Sequence, residues 1–192
     1  MKLLLTRHGQ SRWQTDGKSA GEDAPLSHLG ELQAHRLGRY LQQYEELDRI
    51  VSSNLSRAHK TATIVGSYLD LPVTVESSLR EFESWDAGSP PPPRAIWEPA
   101  PASEPHPEHR AFRGRIHAAL RQTIGDGESE ETVLLVVHGG TIGTILRLLL
   151  GSEVQRIWTL NTALHSLSWT GKFWLIQYLN RVEHLPRPLR SR

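Results

Sequence analysis

The sequence predicts an α/β domain built on a mainly parallel central sheet, and three observations carry that prediction. Short apolar runs alternate along the chain with longer segments of helical periodicity, the pattern of strands joined by crossover helices. Two of those runs, Leu3 to Leu5 and Val133 to Val137, are apolar at consecutive positions, as buried strands are. Each then stops abruptly at a histidine followed by glycine, His8-Gly9 and His138-Gly139-Gly140. Two strands ending in this way would bring two imidazoles to one edge of a sheet.

Taken in order, Lys2 to Thr6 reads as the first strand and the polar stretch Gln10 to Ala24 as a loop. Ser27 is a helix cap, opening a helix to about Gln43 with Leu32, Leu37 and Leu41 toward the core. Arg49 to Ser52 is a second strand. A helix opened by Ser53 or Ser56 follows, its Ala58, Ala62, Val65 and Leu69 forming one apolar stripe. Val73 to Val75 is a third strand. A helix over about Glu108 to Thr123 carries Phe112, Ile116, Ala119 and Leu120. After the fourth strand, Thr141 to Leu150 is a strongly apolar helix closed by Gly151. The runs Ala163 to Trp169 and Phe173 to Leu179 form a hairpin turning at Thr170-Gly171-Lys172.

Eight of the twelve prolines fall between Pro90 and Pro107, a density that prevents regular helix or central strand. Too little chain follows for a second domain. The expectation is a single domain spanning 1–192, with a proline-rich insertion or lid at about 86–108 and a disordered tail from about Pro186.

Composition narrows the chemistry. At 38% hydrophobic and 22% charged residues the chain has an ordinary globular balance, and its 192 residues suffice for one substantial core. A net charge of +1 gives no general attraction to nucleic acid or membrane surfaces. With no cysteine there is no disulfide, thiolate nucleophile or cysteine zinc site. Leu3 to Leu5 is far too short for a secretory core, and a cytoplasmic address is expected.

Parallel α/β sheets bind ligands beyond the carboxyl ends of their strands. At that edge the sequence places Arg7 and His8, then Arg57 in the first turn of its helix, then Glu81, then His138. A first-turn cation opposes the helix dipole, so Arg57 implies an anion nearby. The set suits phosphoryl transfer: forked arginine donors match phosphate oxygens, and a neutral imidazole attacks phosphorus. A carboxyl of raised pKa protonates the departing alkoxide. Gly139, Gly140 and Thr141 start a helix whose free N–H groups would also favour an anion.

These residues reach a known family. Thr6-Arg7-His8-Gly9-Gln10-Ser11 resembles the opening signature of the histidine phosphatase superfamily, also called phosphoglycerate mutase-like. Pro25 to Ala34 resembles that family's first helix, and Ser52 to Ala58 its second arginine motif. Leu79-Arg80-Glu81 resembles its acid motif and Val137-His138-Gly139-Gly140 its second histidine, all in the expected order. The resemblance implies a three-layer α/β/α sandwich. It also implies that His8 carries a phosphohistidine, that Arg7, Arg57 and His138 hold the phosphoryl oxygens, and that Glu81 is proton donor and later base. Ser11, Gln14, Gly139 and Thr141 would complete the substrate contacts, with neither metal nor cofactor required. Gln14 stands where the family often has Asn, and the run after Glu81 is altered, leaving Glu83 as a rival acid.

The functional expectation is a metal-independent phosphatase acting on a small phosphorylated metabolite. The alternatives are a cofactor-dependent phosphoglycerate mutase and a non-catalytic phosphate binder. No nucleic-acid or membrane partner is expected, and the chain would be a monomer or homodimer.

Overall fold

The computed structural model describes residues 1–17, 21, 23–82, 107–151 and 157–191. Its strands are β1 (Lys2–Arg7), β2 (Arg49–Ser52), β3 (Val73–Val75), β4 (Thr132–Val137), β5 (Leu164–Trp169) and β6 (Trp174–Arg181). They form a single mixed sheet in the order β3-β2-β4-β1-β5-β6. β1, β2, β3 and β4 are parallel to one another, while β5 and β6 close one side as an antiparallel hairpin. The helices are α1 (Arg12–Asp16), α2 (His28–Tyr44), α3 (Ser56–Leu69), α4 (Pro107–Ile124) and α5 (Gly139–Leu150).

The consecutive apolar residues of β1 and β4 are explained by the two cores they serve. Leu3, Leu5, Val133, Leu135 and Val137 face one side, packing with Phe112 and Ile116 of α4 and Ile142 and Ile145 of α5. Leu4, Leu134 and Val136 face the other, against Leu37 and Leu41 of α2 and Ala62 and Val65 of α3. Successive side chains of a strand point to opposite faces, so a central strand between two helical layers must be apolar throughout. The result is the expected three-layer α/β/α sandwich.

Helix ends follow local chemistry. The Ser27 hydroxyl accepts the Gly30 N–H at 3.1 Å and starts α2. α3 begins at Ser56 and borrows its cap: the Asp23 carboxylate accepts both the Ser56 N–H at 2.7 Å and its hydroxyl at 2.6 Å. Gly151, in the left-handed region at φ 62°, ends α5 as predicted.

Some expectations are revised. Leu32 is 41% exposed, not core-facing. Five residues at about 100° each place it roughly 140° around the helix from Leu37, off the stripe that Gly30, Ala34, Leu37 and Leu41 share. The polar stretch after His8 contains the one-turn helix α1, too short to show a period. Residues 186–191, expected to be disordered, carry a 3₁₀ turn at Arg187–Leu189. They are tied down by the buried Gln33, whose Nε2 donates to the Leu189 carbonyl at 2.7 Å and the Ser191 hydroxyl at 2.9 Å. Composition does not reveal a partner some 150 positions away. The proline-rich insertion or lid lies, over 83–106, outside the described residues. No described helix is long and apolar enough to cross a membrane.

The loop after His8 crosses the first turn of α2 at a distance only glycine allows. A Cβ on Gly30 would sit 2.0 Å from the Gln10 carbonyl oxygen, and one on Gly9 would sit 2.3 Å from that of Gly30. We expect Gly30→Ala to cost about 3 kcal/mol or more, since the obstruction is backbone and cannot swing aside. Gly114→Ala in α4, where no described residue lies within 4 Å of the new methyl, should gain up to about 1 kcal/mol. Urea unfolding of the two variants reads the contrast, and equal behaviour would refute the close approach.

Two buried histidines outside the strand ends make stability depend on pH. His165 Nδ1 accepts the Asn180 N–H at 3.3 Å and Nε2 lies 2.7 Å from the Thr159 hydroxyl, a pairing that needs the neutral ring. Burial lowers its pKa from 6.5 to about 4, and does the same to His184. Below 6.5 the unfolded chain takes up protons that the folded chain refuses until about 4. Stability is therefore complete above 6.5 and declines toward 4, by about 2 kcal/mol from each histidine at pH 5. Unfolding free energies that stay level from pH 7 to 5 would contradict this.

Candidate active site

The sheet register sets the site. Arg7 pairs with Val137 and Ser52 with Val136, so β1, β2 and β4 end side by side. The His8 N–H reaches the Val137 carbonyl at 2.9 Å and the Ser53 N–H reaches that of Val136 at 3.1 Å. His8 and His138 thereby follow neighbouring strands, their ring centroids 5.2 Å apart.

His8 is held in one tautomer. Its Nδ1 lies 2.7 Å from the Gly9 carbonyl, which only accepts, so Nδ1 carries the proton. Nε2 keeps its lone pair and receives the Arg57 Nε–H at 3.2 Å. Burial, then the charges of Arg7 and Arg57, hold the ring's pKa well below the ordinary histidine value. The ring is therefore neutral beside two cations, the state in which an imidazole can act as a nucleophile.

The second histidine is as buried. Its Nε2 lies 2.9 Å from the Ser53 hydroxyl, whose oxygen also accepts the Leu55 N–H at 3.3 Å. If the Ser53 hydroxyl gives its own proton to Nε2, the neutral ring carries its proton on Nδ1. Nδ1 is buried without a protein hydrogen-bond partner among the described residues. Burial, the facing His8 ring and the arginines keep His138 neutral by lowering its pKa well below the usual value.

Arg7 extends from the end of β1, its Nη1 donating to the Thr159 carbonyl at 3.0 Å while its buried Nε has no hydrogen-bond partner among the described residues. Arg57 projects from the first turn of α3, and the Thr61 hydroxyl one turn on ties that helix to the loop. This hydroxyl donates to the Arg57 carbonyl at 2.7 Å and accepts the Gly9 N–H at 3.1 Å. Burial works against the charge of both arginines and the Glu81 carboxylate works for it.

Glu81 follows a 3₁₀ turn at Ser77–Leu79 and is seated on the N-terminus of α5. Its Oε2 accepts the Gly140 N–H and its Oε1 the Phe82 N–H, both at 3.0 Å. Burial raises its pKa above the usual carboxylate range, opposed by those two N–H donors and by Arg7 and Arg57. A carboxyl poised between such pressures suits proton donation and later proton removal.

Two expected substrate contacts, Thr141 and Gly139, have protein neighbours. Thr141 is fully buried, its hydroxyl 3.4 Å from both the Leu79 carbonyl and Glu81 Oε1, so it supports the acid. Gly139 backs Arg7: a Cβ there would lie 3.8 Å from the guanidinium Nε. The start of α5 thus serves an internal anion, the Glu81 carboxyl.

A cavity of about 450 Å³ opens over Arg7, His8, Arg57 and Glu81, with Ser11 and Gln14 on its wall. The Gln14 amide is engaged internally. Its oxygen accepts the Ser11 N–H at 2.9 Å and its nitrogen donates to Asn161 Oδ1 at 3.0 Å. Glu83 lies outside the described residues. Among the described residues no group of three His, Asp or Glu side chains is placed to hold a metal ion.

Sequence reasoning missed Asn161, Ser53 and Arg80. The buried Asn161 donates from Nδ2 to the His8 carbonyl at 2.9 Å and accepts the Ser191 hydroxyl at 2.9 Å, linking nucleophile loop to tail. Nothing marks a single Asn before a hairpin as such a hub. Ser53 had a visible position, next to the strand end, but reads equally as a helix cap. His165 lies behind the site, bearing on Thr159, whose carbonyl holds Arg7.

The sequence model of the histidine phosphatase superfamily, branch 1, matches residues 3–182. An uncharacterized phosphatase of Bacillus subtilis strain 168, PhoE, is 30% identical over 187 residues, 95% of this chain and 96% of that protein. The solved structure of Bacillus stearothermophilus YhfR matches with a TM-score of 0.75 at 24% identity, covering 95% of this chain and 98% of that one. A phosphoglycerate mutase from Bacillus anthracis strain Sterne shares the fold at TM-score 0.72 and 21% identity, over 96% and 94% of the two chains. With its sequence matched almost end to end and its fold shared, this chain belongs to the histidine phosphatase superfamily.

Proposed function

We propose that the chain hydrolyses small phosphate monoesters through a phosphohistidine on His8, without a metal ion. The observation that carries this is the fixed tautomer of His8: Nδ1 carries the proton, bonded to the Gly9 carbonyl at 2.7 Å, and Nε2 keeps its lone pair, held by the Arg57 Nε–H that a phosphoryl oxygen would take over. Arg57 bonds to that nitrogen at 3.2 Å, and Arg7, which lines the same cavity, and His138, its ring centroid 5.2 Å away, would join it in holding the phosphoryl oxygens. In the first step Nε2 attacks phosphorus in line, the P–O ester bond breaks, and the Glu81 proton goes to the departing alkoxide. In the second, ionised Glu81 takes a proton from water, whose oxygen attacks phosphorus. The P–N bond breaks, releasing inorganic phosphate and restoring both His8 and protonated Glu81.

Two further points support the reading. Arginines flanking the histidines would repel a dication, so the same groups do not favour metal-assisted hydrolysis. Hydrolysis is preferred over mutase transfer because the segment between Glu81 and His138 is short, and the B. subtilis relative matched over nearly its whole length is named a phosphatase.

The test is release of phosphate from p-nitrophenyl phosphate at mildly acidic pH in excess EDTA, with no bisphosphoglycerate added. Turnover should persist in chelator and fall at least about a thousandfold in His8→Ala. Rapid quenching should trap an acid-labile, base-stable phosphoryl group on the parent chain alone. A requirement for metal or bisphosphoglycerate, or equal turnover by the variant, would overturn the proposal.

The pH profile follows from the same groups. His8 acts unprotonated and its pKa is depressed, so the acid limb lies well below 6.5. Glu81 acts protonated in the first step, so the rate falls as pH rises through its elevated pKa. Glu81→Gln should slow alkyl phosphates by about 10²–10⁴-fold. It should slow p-nitrophenyl phosphate cleavage far less, because that leaving group needs little protonation. An equal loss on both substrates would remove Glu81 from the acid role.

A further inference from the structure

Arg80 carries a positive charge that phosphoryl transfer does not use. The other two site arginines are engaged, Arg7 with the Thr159 carbonyl at 3.0 Å and Arg57 with His8 Nε2 at 3.2 Å. Arg80 is anchored through its backbone instead. The Arg115 Nη1 donates to the Arg80 carbonyl at 3.1 Å and to that of Ser78 at 2.6 Å. Its guanidinium, partly exposed, has no hydrogen-bond or ion-pair partner among the described residues.

The position of that guanidinium is informative. Arg80 lines both the cavity above His8 and an adjoining cleft of about 660 Å³ that runs past Ser77 and Ser78 to Phe112 and Arg115 of α4. Glu81 and Phe82 form the same shared wall. The phosphoryl group belongs at His8, and Glu81 meets the ester oxygen. The alcohol half of the substrate must therefore leave past Arg80.

Charge argues the same way. Arg7 and Arg57 match the two charges of a phosphate monoester. Glu81 is neutral when it donates its proton, so Arg80 then stands as a third cation with no ion-pair partner among the described residues, against the partly apolar walls of Leu55 and Phe82 and with Glu108 on the wall of the adjoining cleft. One more negative charge on the substrate balances it, and a forked guanidinium pairs best with a planar carboxylate or a phosphate.

We propose that Arg80 binds a second anionic group on the alcohol half of the substrate, so that the preferred esters are phosphates of small anionic alcohols. This rests on the phosphatase reading for where the alcohol lies. Glycerol 3-phosphate, 3-phosphoglycerate and propane-1,3-diol bisphosphate present a neutral alcohol, a carboxylate and a second phosphate at similar size.

The experiment is calorimetric titration of these three esters into the His8→Ala chain, which binds without turning over, and into the same chain carrying Arg80→Gln or Arg80→Lys. At least one anionic ester should bind about tenfold tighter than glycerol 3-phosphate, and which one identifies carboxylate or phosphate. Arg80→Gln should collapse that ratio toward one, while Arg80→Lys retains part of it and reports on folding. A ratio near one in the parent, or a ratio that survives Arg80→Gln, overturns the assignment. Turnover of p-nitrophenyl phosphate by the unmodified chain is measured alongside. No turnover with a preserved ratio would sink the phosphatase reading alone, and turnover with a flat ratio would sink the role of Arg80 alone.

Discussion

The site depends on the register between β1 and β4. Arg7 lies opposite Val137, so His8 and His138 leave the sheet at one level and their rings meet at 5.2 Å. A slip of one residue would move one histidine by about 3.3 Å and turn every side chain of its strand to the opposite core. Burial on both faces does not by itself forbid that slip, because both faces are apolar. The loop after β1 supplies the missing constraint. Gly9 and Gly30 touch backbone to backbone, the Ser27 N–H meets the Gln10 carbonyl at 2.8 Å, and the Gln10 N–H meets Gln33 Oε1 at 2.8 Å. α2 thereby fixes the end of β1 along the strand direction.

That rigidity is needed because the site is electrostatically unfavourable in isolation. Three arginines line a small cavity with the Glu81 carboxyl, and the histidines between them stay neutral because the cations and burial leave no room for further charge. In a softer structure such groups would turn toward solvent or protonate. Here each is held from behind: Arg7 by Thr159, Arg57 by its hydrogen bond to His8, Arg80 through Arg115. Donors fixed before a ligand arrives, as Arg7 and Arg57 are, would not have to be reorganised as charge develops at phosphorus in the proposed reaction.

Much of this was legible in the sequence because it is written in local patterns. Consecutive apolar residues reported two-sided burial, and the histidines at the strand ends reported the site. The spacing of Ala58, Ala62 and Val65 reported the face of α3. What escaped was either too short or too distant. α1 is one turn long and offers no period. The tail looked disordered because its stabilising partner, Gln33, sits on α2, itself read as an ordinary amphipathic helix. Asn161 is a lone polar residue whose importance comes from touching the His8 carbonyl, a contact no spacing rule encodes. At the start of α5, whose free N–H groups the sequence marks for an anion, the Gly140 N–H is taken by the protein's own Glu81 carboxyl.

The seat of Glu81 on the start of α5 would let one carboxyl serve both proposed steps. A Glu81 buried without donors would hold its proton too tightly to become a base. One bound by several N–H groups in water would be ionised too early to be an acid. The structure combines the two pressures: burial raises the pKa, while the Gly140 and Phe82 N–H groups and the arginines pull it down. The phosphoryl group adds its own negative charge beside the carboxyl, favouring the protonated form while the ester is intact. In the proposed steps Glu81 is ionised by giving its proton to the departing alcohol, and departure of an anion carried to Arg80 would take negative charge from the same wall and favour keeping that ionised form. On the proposed mechanism the switch from acid to base would need no movement of Glu81, only proton transfer to the product that leaves beside it.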